Sequence, residues 1–143
     1  FSFLGGRGFT QSILYNFSHD GAWKRITVHS DFYGQVDGRE YFSVEVIGKH
    51  VEDRSDLAEK DFRAHVQANG LFKGDLKLEG SFTLENAYPI YSRQSAATAQ
   101  RMIEALAALA IESFGRQGGF NYQPTARVST IEAEAALGAP VRG

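Results

Sequence analysis

Residues 23–47 read WKRITVHSDFYGQVDGREYFSVEVI, two stretches of alternating apolar and polar residues joined by a turn that contains glycine. Ile26 and Val28 share one side of the first stretch, and Phe42 and Val44 share one side of the second. Alternation with period two is typical of a strand that buries one face. The intervening GQVDG favours a reversal of the chain, so the two stretches are predicted to form an antiparallel pair.

The same alternation predicts three more strands, one before this pair and two after it. A Ser-His-Asp-Gly turn at 18–21 joins the first strand to the second as an N-terminal hairpin. The predicted fold class is therefore α+β: an antiparallel β-meander of about five to six strands, followed by a C-terminal helix. The five stretches are 9–17, 23–32, 41–47, 62–69 and 75–85.

The length of 143 residues fits one domain, and no second domain of ordinary size is expected. We predict a single domain over 1–143. Its parts are a flexible glycine-containing arm at 1–8, a β-sheet region at 9–86, a helix at 93–115 and a tail at 116–143, in which residues 131–137 form a short helix.

Composition excludes several classes of protein. Hydrophobic residues make up 43% and charged residues 22%, which is typical of a globular chain. The absence of cysteine excludes disulfide scaffolds, thiolate zinc sites and cysteine nucleophiles. The formal charge of −2 means that any nucleic-acid binding must depend on local chemistry. No apolar stretch is long enough to predict a transmembrane helix.

The predicted C-terminal helix is more apolar than a helix lying on its own sheet requires. One apolar stripe suffices for such a helix, and Ala99, Ile103 and Leu106 supply it. Additional apolar residues spread onto neighbouring faces, which favours a homodimer in which the helix packs on a symmetry-related subunit. The alternative is that aromatic residues at 88–91 or 120–122 fold back over the helix. The predicted dimer-interface residues are Met102, Leu106, Leu109 and Ile111.

The polar face of the predicted sheet carries basic and hydroxyl side chains with aromatic rings among them. Cations bind phosphates and rings stack on unpaired bases, so this pattern is compatible with RNA binding. Glu45, Glu79 and Glu85 on the same face would repel phosphate. A plain solvated face, which every one-sided antiparallel sheet has, therefore remains the alternative.

Catalytic and metal-binding motifs are not found in the sequence. There is no glycine-rich phosphate loop with lysine, no nucleophile elbow and no histidine pair at helical metal-binding spacing. His29 and His65 fall on the predicted polar face, but two strand histidines without further ligands do not define a metal site. We predict no enzymatic activity, no catalytic residues, no metal and no cofactor.

Three parts of the sequence, together with the order of strands followed by a C-terminal helix, carry a resemblance. They are Lys24–Val28 with Tyr41–Val46, Ser81–Leu84 with Ile103–Leu109, and Tyr122–Ala126. The chain resembles the coat proteins of small single-stranded RNA bacteriophages, the levivirus type. The first part is similar to that family's paired central strands, the second to its last strand leading into its first helix, and the third to its proline-containing C-terminal segment.

This resemblance implies a bacteriophage capsid protein that dimerises into a continuous ten-stranded sheet and self-assembles into an icosahedral shell. The apolar sheet face would lie under interlocked helices, and the polar face would bind single-stranded genomic RNA. The location would be the virion, and the host cytoplasm during assembly, with no membrane partner. The RNA-binding residues carried over by position are Arg25, Thr27, His29, Ser43, Arg63, His65, Lys77, Ser81 and Thr83.

Two other functions remain open at this point. A phage-tail or other virion assembly protein could share a strand-rich body with one helix, and it would form rings or tubes. A small-molecule-binding α+β domain would instead place a cavity between the sheet and the helix. In that case Tyr15, Trp23, Tyr41 and His65 would line the cavity.

Overall fold

The computed structural model describes residues 1–85, 87–123 and 125–138. The chain divides into two compact units, Phe1–Thr83 and Leu84–Gly143. The first unit contains strands β1 Ser2–Arg7, β2 Ile13–Tyr15, β3 Trp23–Val28, β4 Glu40–Val46 and β5 Phe72–Lys77, helices α1 Ser30–Tyr33 and α2 Ser55–Ala68, and a 3-10 turn at Gly48–Val51. The second contains helices α3 Ser95–Ala107, α4 Gly115–Gly118 and α5 Ala126–Ala136.

The prediction of an α+β chain with a five-stranded antiparallel sheet is confirmed. The strands from residues 23–47 pair as expected, with Ile26 opposite Val44 and Val28 opposite Phe42. β2 pairs with β3 in the predicted N-terminal hairpin. The alternation therefore places one apolar face of β2, β3 and β4 towards the core.

The sheet is not a meander in chain order, because its strands lie in the order β2-β3-β4-β1-β5. Residues 2–7, predicted to be part of a flexible arm, form β1 between β4 and β5, and Phe3 is fully buried. Glycines make this position possible. Gly5 lies opposite Gly74, and a Cβ on Gly5 would stand only 2.9 Å from the Gly74 Cα. Two bare backbones can approach where side chains would collide.

The predicted strand at 62–69 is wrong, because these residues belong to α2. Phe62 and Val66 are both buried and lie four residues apart, on one side of a helix. Glu59 and Arg63 form an ion pair at the same spacing on the helix surface. The first half of this helix comes from residues 55–61, part of the charged stretch between the strands predicted at 41–47 and 62–69.

The core of the first unit lies between α2 and the apolar face of the sheet. Phe62 and Val66 from the helix meet Phe3, Ile26 and Phe42 from three strands. Aromatic packing continues to β5, where the Phe72 ring stacks on Phe42 with centroids 4.7 Å apart. The chain's own helix therefore covers the sheet face that the phage-coat resemblance assigned to a partner subunit.

The predicted strand at 75–85 ends early, at Lys77. β5 pairs only with β1, and Lys77 lies opposite Ser2, the first residue of that strand. Residues beyond Lys77 therefore have no strand beside them, and Phe82 is left exposed. Strand pairing rather than alternation alone sets the end of β5.

The helix predicted at 93–115 is shorter, and the tail contains more helix than expected. α3 ends at Ala107, and Ala110 has a positive φ of 58° that turns the chain away. Gly115 begins α4 instead of closing the long helix. The short helix predicted at 131–137 is confirmed in kind but spans 126–136. Three parts of the chain lie outside the described residues. They are residue 86 of the predicted sheet region, Pro124 of the C-terminal segment that resembles the phage coat proteins, and residues 139–143 of the tail.

Candidate functional site

One face of the sheet is not covered by α2, and we call it the open face. Register places Arg25 and Thr27 on this face, with Ser43 directly opposite Thr27. His29 joins them, because its Nε2 lies 2.9 Å from the Ser43 hydroxyl. Lys77 shares the face through its pairing with Ser2. Five of the nine predicted RNA-binding residues are thus together on one surface.

The other four predicted residues lie elsewhere. Arg63 and His65 sit on α2, where they hold the helix to the sheet instead of facing solvent with the others. Arg63 donates to the Leu76 carbonyl oxygen at 2.8 Å, and the Trp23 Nε1–H donates to His65 Nδ1 at 2.5 Å. Ser81 and Thr83 are exposed but belong to no strand. These four residues do not join the open face, because the predicted strand at 62–69 does not form and the one predicted at 75–85 ends at Lys77.

Three cations of the open face are engaged with carboxylates. Arg25 pairs with Glu45 across β3 and β4, Lys77 pairs with Glu79 at 3.0 Å, and Arg39 pairs with Asp75 at 2.8 Å. At each of these pairs a phosphate would have to compete with a carboxylate for the cation. Lys73 shares this face through its pairing with Gly6 and is exposed.

Hydrogen bonds fix the charge states of two of these groups. The Ser2 hydroxyl, which donates to Glu79 Oε1 at 2.5 Å, and the Lys77 ammonium lower the pKa of Glu79. A hydrogen bond to the Tyr15 hydroxyl, followed by the charge of Glu45, raises the pKa of Arg25. Both side chains are therefore charged throughout the physiological pH range.

An aromatic pair that the sequence reasoning did not assign to RNA lies at the edge of the open face. Tyr15 and Phe17 are stacked, with centroids 6.0 Å apart and an interplanar angle of 21°, and Phe17 is 91% exposed. The Arg25 guanidinium carbon lies 5.9 Å from the Tyr15 ring centre. The signal for this cluster was present in the hairpin, because Tyr15 is the direct cross-strand partner of Arg25.

The four residues that could have lined a small-molecule cavity do not converge. Trp23 is buried and packs on Phe62 in the core, with His65 against its ring. Tyr15 and Tyr41 lie on the open face, opposite Arg25 and Ser2. The sheet therefore separates them into two pairs, and no cavity is shared by all four.

α3 contributes no buried residue to the second unit. Ser95, Ala99, Ile103 and Leu106 are half-buried along a groove of about 420 Å³ whose other wall includes Phe120. Met102 also lines this groove but is 60% exposed, and the two other predicted interface residues are exposed as well, Leu109 to 71% and Ile111 to 48%. Phe120 packs on Tyr91, which is itself about half exposed and is not among the residues that line the groove.

The second unit is held by a polar cluster around Gln123, which is buried. The Gln123 amide accepts from Ser129 and donates to Glu132, and its backbone carbonyl accepts from Arg116. This cluster joins α4 to α5 and gives both polar atoms of the buried Gln123 side chain a hydrogen-bond partner.

Among residues 1–85, 87–123 and 125–138, no group of three or more histidine, aspartate or glutamate side chains is arranged to hold a metal ion. No helix in this part of the chain is long and apolar enough to cross a membrane.

No protein-family model, no curated protein and no solved structure matches this chain.

Proposed function

We propose that this chain is a structural virion protein of the RNA-phage coat type, without enzymatic activity. Its copies pair through α3, assemble into a closed icosahedral shell and hold single-stranded RNA on the open face. The observation that supports this proposal most strongly is that α3 buries none of its side chains, while Met102 in the helix and Leu109 just after it are exposed. The protein would reside in the virion, and in the host cytoplasm during assembly.

Self-association follows from the cost of leaving this helix in water. Burial of apolar surface is worth about 25 cal/mol per Å², so uncovered leucine and methionine side chains favour association. The charged side chains of α3, Arg101 and Glu104, do not lie on the line that joins Met102 to Leu109. A second copy can therefore cover this surface without placing two like charges together.

The proposal differs from the phage-coat picture in how the partner is used. In that picture partner helices cover the apolar sheet face, whereas here α2 already packs on it. Pairing is therefore assigned to α3 and the turn after it, through the exposed side chains of Met102 and Leu109, with Met102 and Leu106 also lining the groove. The sheet is left free to bind another partner through its open face.

Purified full-length chain examined by negative-stain electron microscopy tests the assembly. Uniform closed shells, with an absorbance ratio at 260 and 280 nm typical of nucleoprotein, are expected. Rings or tubes would instead assign the chain to tail or other virion assembly proteins. A monomer at every concentration would contradict the proposal.

RNA binding is proposed from the cluster of Tyr15, Phe17 and Arg25, because stacked rings beside a guanidinium suit unpaired bases and their phosphates. Because Arg25 is already paired with Glu45, we expect the affinity for RNA to be low and to be limited by the Glu45 carboxylate. Arg25→Ala should weaken binding of a fluorescent single-stranded RNA about tenfold, because hydrogen bonds to charged groups are worth about 1.5–3 kcal/mol. Glu45→Gln should strengthen binding, because it releases Arg25 from its carboxylate.

Fluorescence anisotropy at low and moderate salt measures both changes. The Arg25→Ala variant should also reduce the slope of log affinity against log salt by about one. Arg54→Ala is the matched control, because Arg54 is an exposed arginine paired with Asp56 at the start of α2. Equal losses for the two arginine variants, or a loss for Glu45→Gln, would remove the open face from the RNA site.

A further inference from the structure

We propose that His65 attaches α2 to the sheet in an acid-sensitive way, so that one proton taken up by its ring releases this part of the helix. The inference concerns the first unit alone. It depends neither on RNA binding nor on self-association.

Two polar contacts join α2 to the start of β3. Asp61 Oδ2 accepts the Ala22 backbone N–H at 2.7 Å, and one helical turn later His65 Nδ1 accepts the Trp23 Nε1–H at 2.5 Å. The His65 and Trp23 rings also pack together, with centroids 5.7 Å apart. A Cβ added to Gly21 would stand 2.5 Å from His65 Nδ1, so the chain leaves this side of the ring little room.

The contact between His65 and Trp23 requires an uncharged imidazole. An indole N–H can only donate, so His65 Nδ1 must present its lone pair, and the single ring hydrogen must lie on Nε2. A second proton can be added only at Nδ1, where it would point at the indole hydrogen. Trp23 is 4% exposed, so water cannot readily replace the acceptor that its N–H would lose.

The charged groups near His65 provide no direct partner for a positively charged ring. No carboxylate among the described residues forms an ion pair with His65. Asp61 favours a cation nearby, but its Oδ2 is already bound to the Ala22 N–H, so it reduces the effect without replacing the lost bond. The other charged or titratable residues of the neighbouring elements carry both signs. They are His19, Asp20 and Lys24 around the start of β3, His50 and Glu52 at the 3-10 turn, and Lys60 on α2.

Loss of this contact loosens the helix that covers the core. Phe62 and Val66, on either side of His65 in α2, are both buried, and Trp23 packs edge-on against the Phe62 ring with centroids 6.2 Å apart. A histidine in an unfolded chain takes up a proton at about pH 6.5. Because the folded unit resists that proton, the contact contributes stability above this pH, and the contribution is lost as the pH falls.

Urea unfolding at about pH 7 and about pH 5.5, followed by Trp23 fluorescence at one protein concentration, tests this inference. If the fold excludes the proton, the unfolding equilibrium constant of the unmodified chain rises about eightfold more over this interval than that of His65→Gln. The glutamine carbonyl can still accept the Trp23 N–H but does not titrate. His29→Gln, which removes an exposed histidine of the open face, should keep the pH dependence of the unmodified chain. The same pH dependence with and without His65 would overturn the inference.

Hydrogen exchange of the unmodified chain, followed by mass spectrometry, provides a test that needs no variant. After correction for the effect of pH on the chemical exchange rate, amides of α2 should lose protection at about pH 5.5, while those of β3 and β4 keep theirs. Unchanged protection of α2 would contradict the proposal. Equal losses in α2, β3 and β4 would also contradict it, because they would show unfolding of the whole unit instead of release of the helix.

Discussion

Replacing Leu109 with glutamate is expected to separate the copies of the chain. Leu109 is 71% exposed within one copy, so the substitution should cost the isolated chain little. In the proposed pair it would place an unpaired carboxylate against apolar surface, which costs about 3 kcal/mol or more. Association should therefore weaken at least about hundredfold. Size-exclusion chromatography with light scattering measures the change as a loss of high-mass species.

Ala107→Glu provides the control for this result. It adds the same charge near the same end of α3, but on the far side of the helix, where the side chain is exposed. Assembly should be retained by this variant. Trp23, the only tryptophan, lies in the core of the first unit and reports whether that unit stays folded. An unchanged mass for Leu109→Glu would place the interface elsewhere.

Gly5→Ala is expected to destabilise the first unit strongly. Gly5 has φ +145°, which side-chain-bearing residues rarely adopt, and an added Cβ would collide with the Lys73 carbonyl oxygen. The collision is with backbone of the neighbouring strand and cannot be relieved by rotating a side chain. Backbone strain and overpacking together should lower the free energy of unfolding by about 2–5 kcal/mol. Urea unfolding followed by Trp23 fluorescence measures the loss.

Gly6→Ala is the matched control in the same strand. A Cβ there would meet nothing within 4 Å, and its φ lies outside the left-handed region. Its effect should stay within about 1 kcal/mol in either direction. Similar unfolding curves for the two variants would contradict the close Gly5–Gly74 approach that places β1 inside the sheet.

The parts of the fold that the sequence predicts well are local. The antiparallel pairs from residues 13–47 join segments close in the chain, and turn residues and alternation specify their register together. β1 could not be recognised in this way. It pairs with β4 and β5, which are distant in sequence. Its glycines are also typical of a flexible segment, and only the pairing of Gly5 with Gly74 shows why a strand needs them there.

The error at α2 arose from an ambiguous pattern. Phe62, Ala64, Val66 and Ala68 alternate with polar residues, but Phe62 and Val66 alone are buried, and their spacing also fits a helix. The Glu59–Arg63 spacing and the residues of high helix propensity around them favour the helix. Because of this single misassignment, Arg63 and His65 were predicted to lie on the polar face of the sheet, whereas they belong to α2.

The exposed apolar surface near α3 was easier to predict from the sequence than the charges and aromatic rings of the open face. The exposure of Met102, Leu109 and Ile111 follows from the excess of apolar residues and was predicted from the sequence. The ion pairs that neutralise Arg25 and Lys77 required the sheet register and the side-chain contacts. The stacking of Phe17 on Tyr15 could not be predicted from the sequence, because it depends on β2 ending at Tyr15, beside Arg25.

The central claim, that a second copy covers α3, is tested most directly by sedimentation of the unmodified chain across a range of concentrations. The account predicts a mass that is a multiple of the 15.8 kDa chain and that shifts towards dimers on dilution. A mass of one chain at the highest concentration reached would contradict it, because Met102 and Leu109 would then remain in water without a partner.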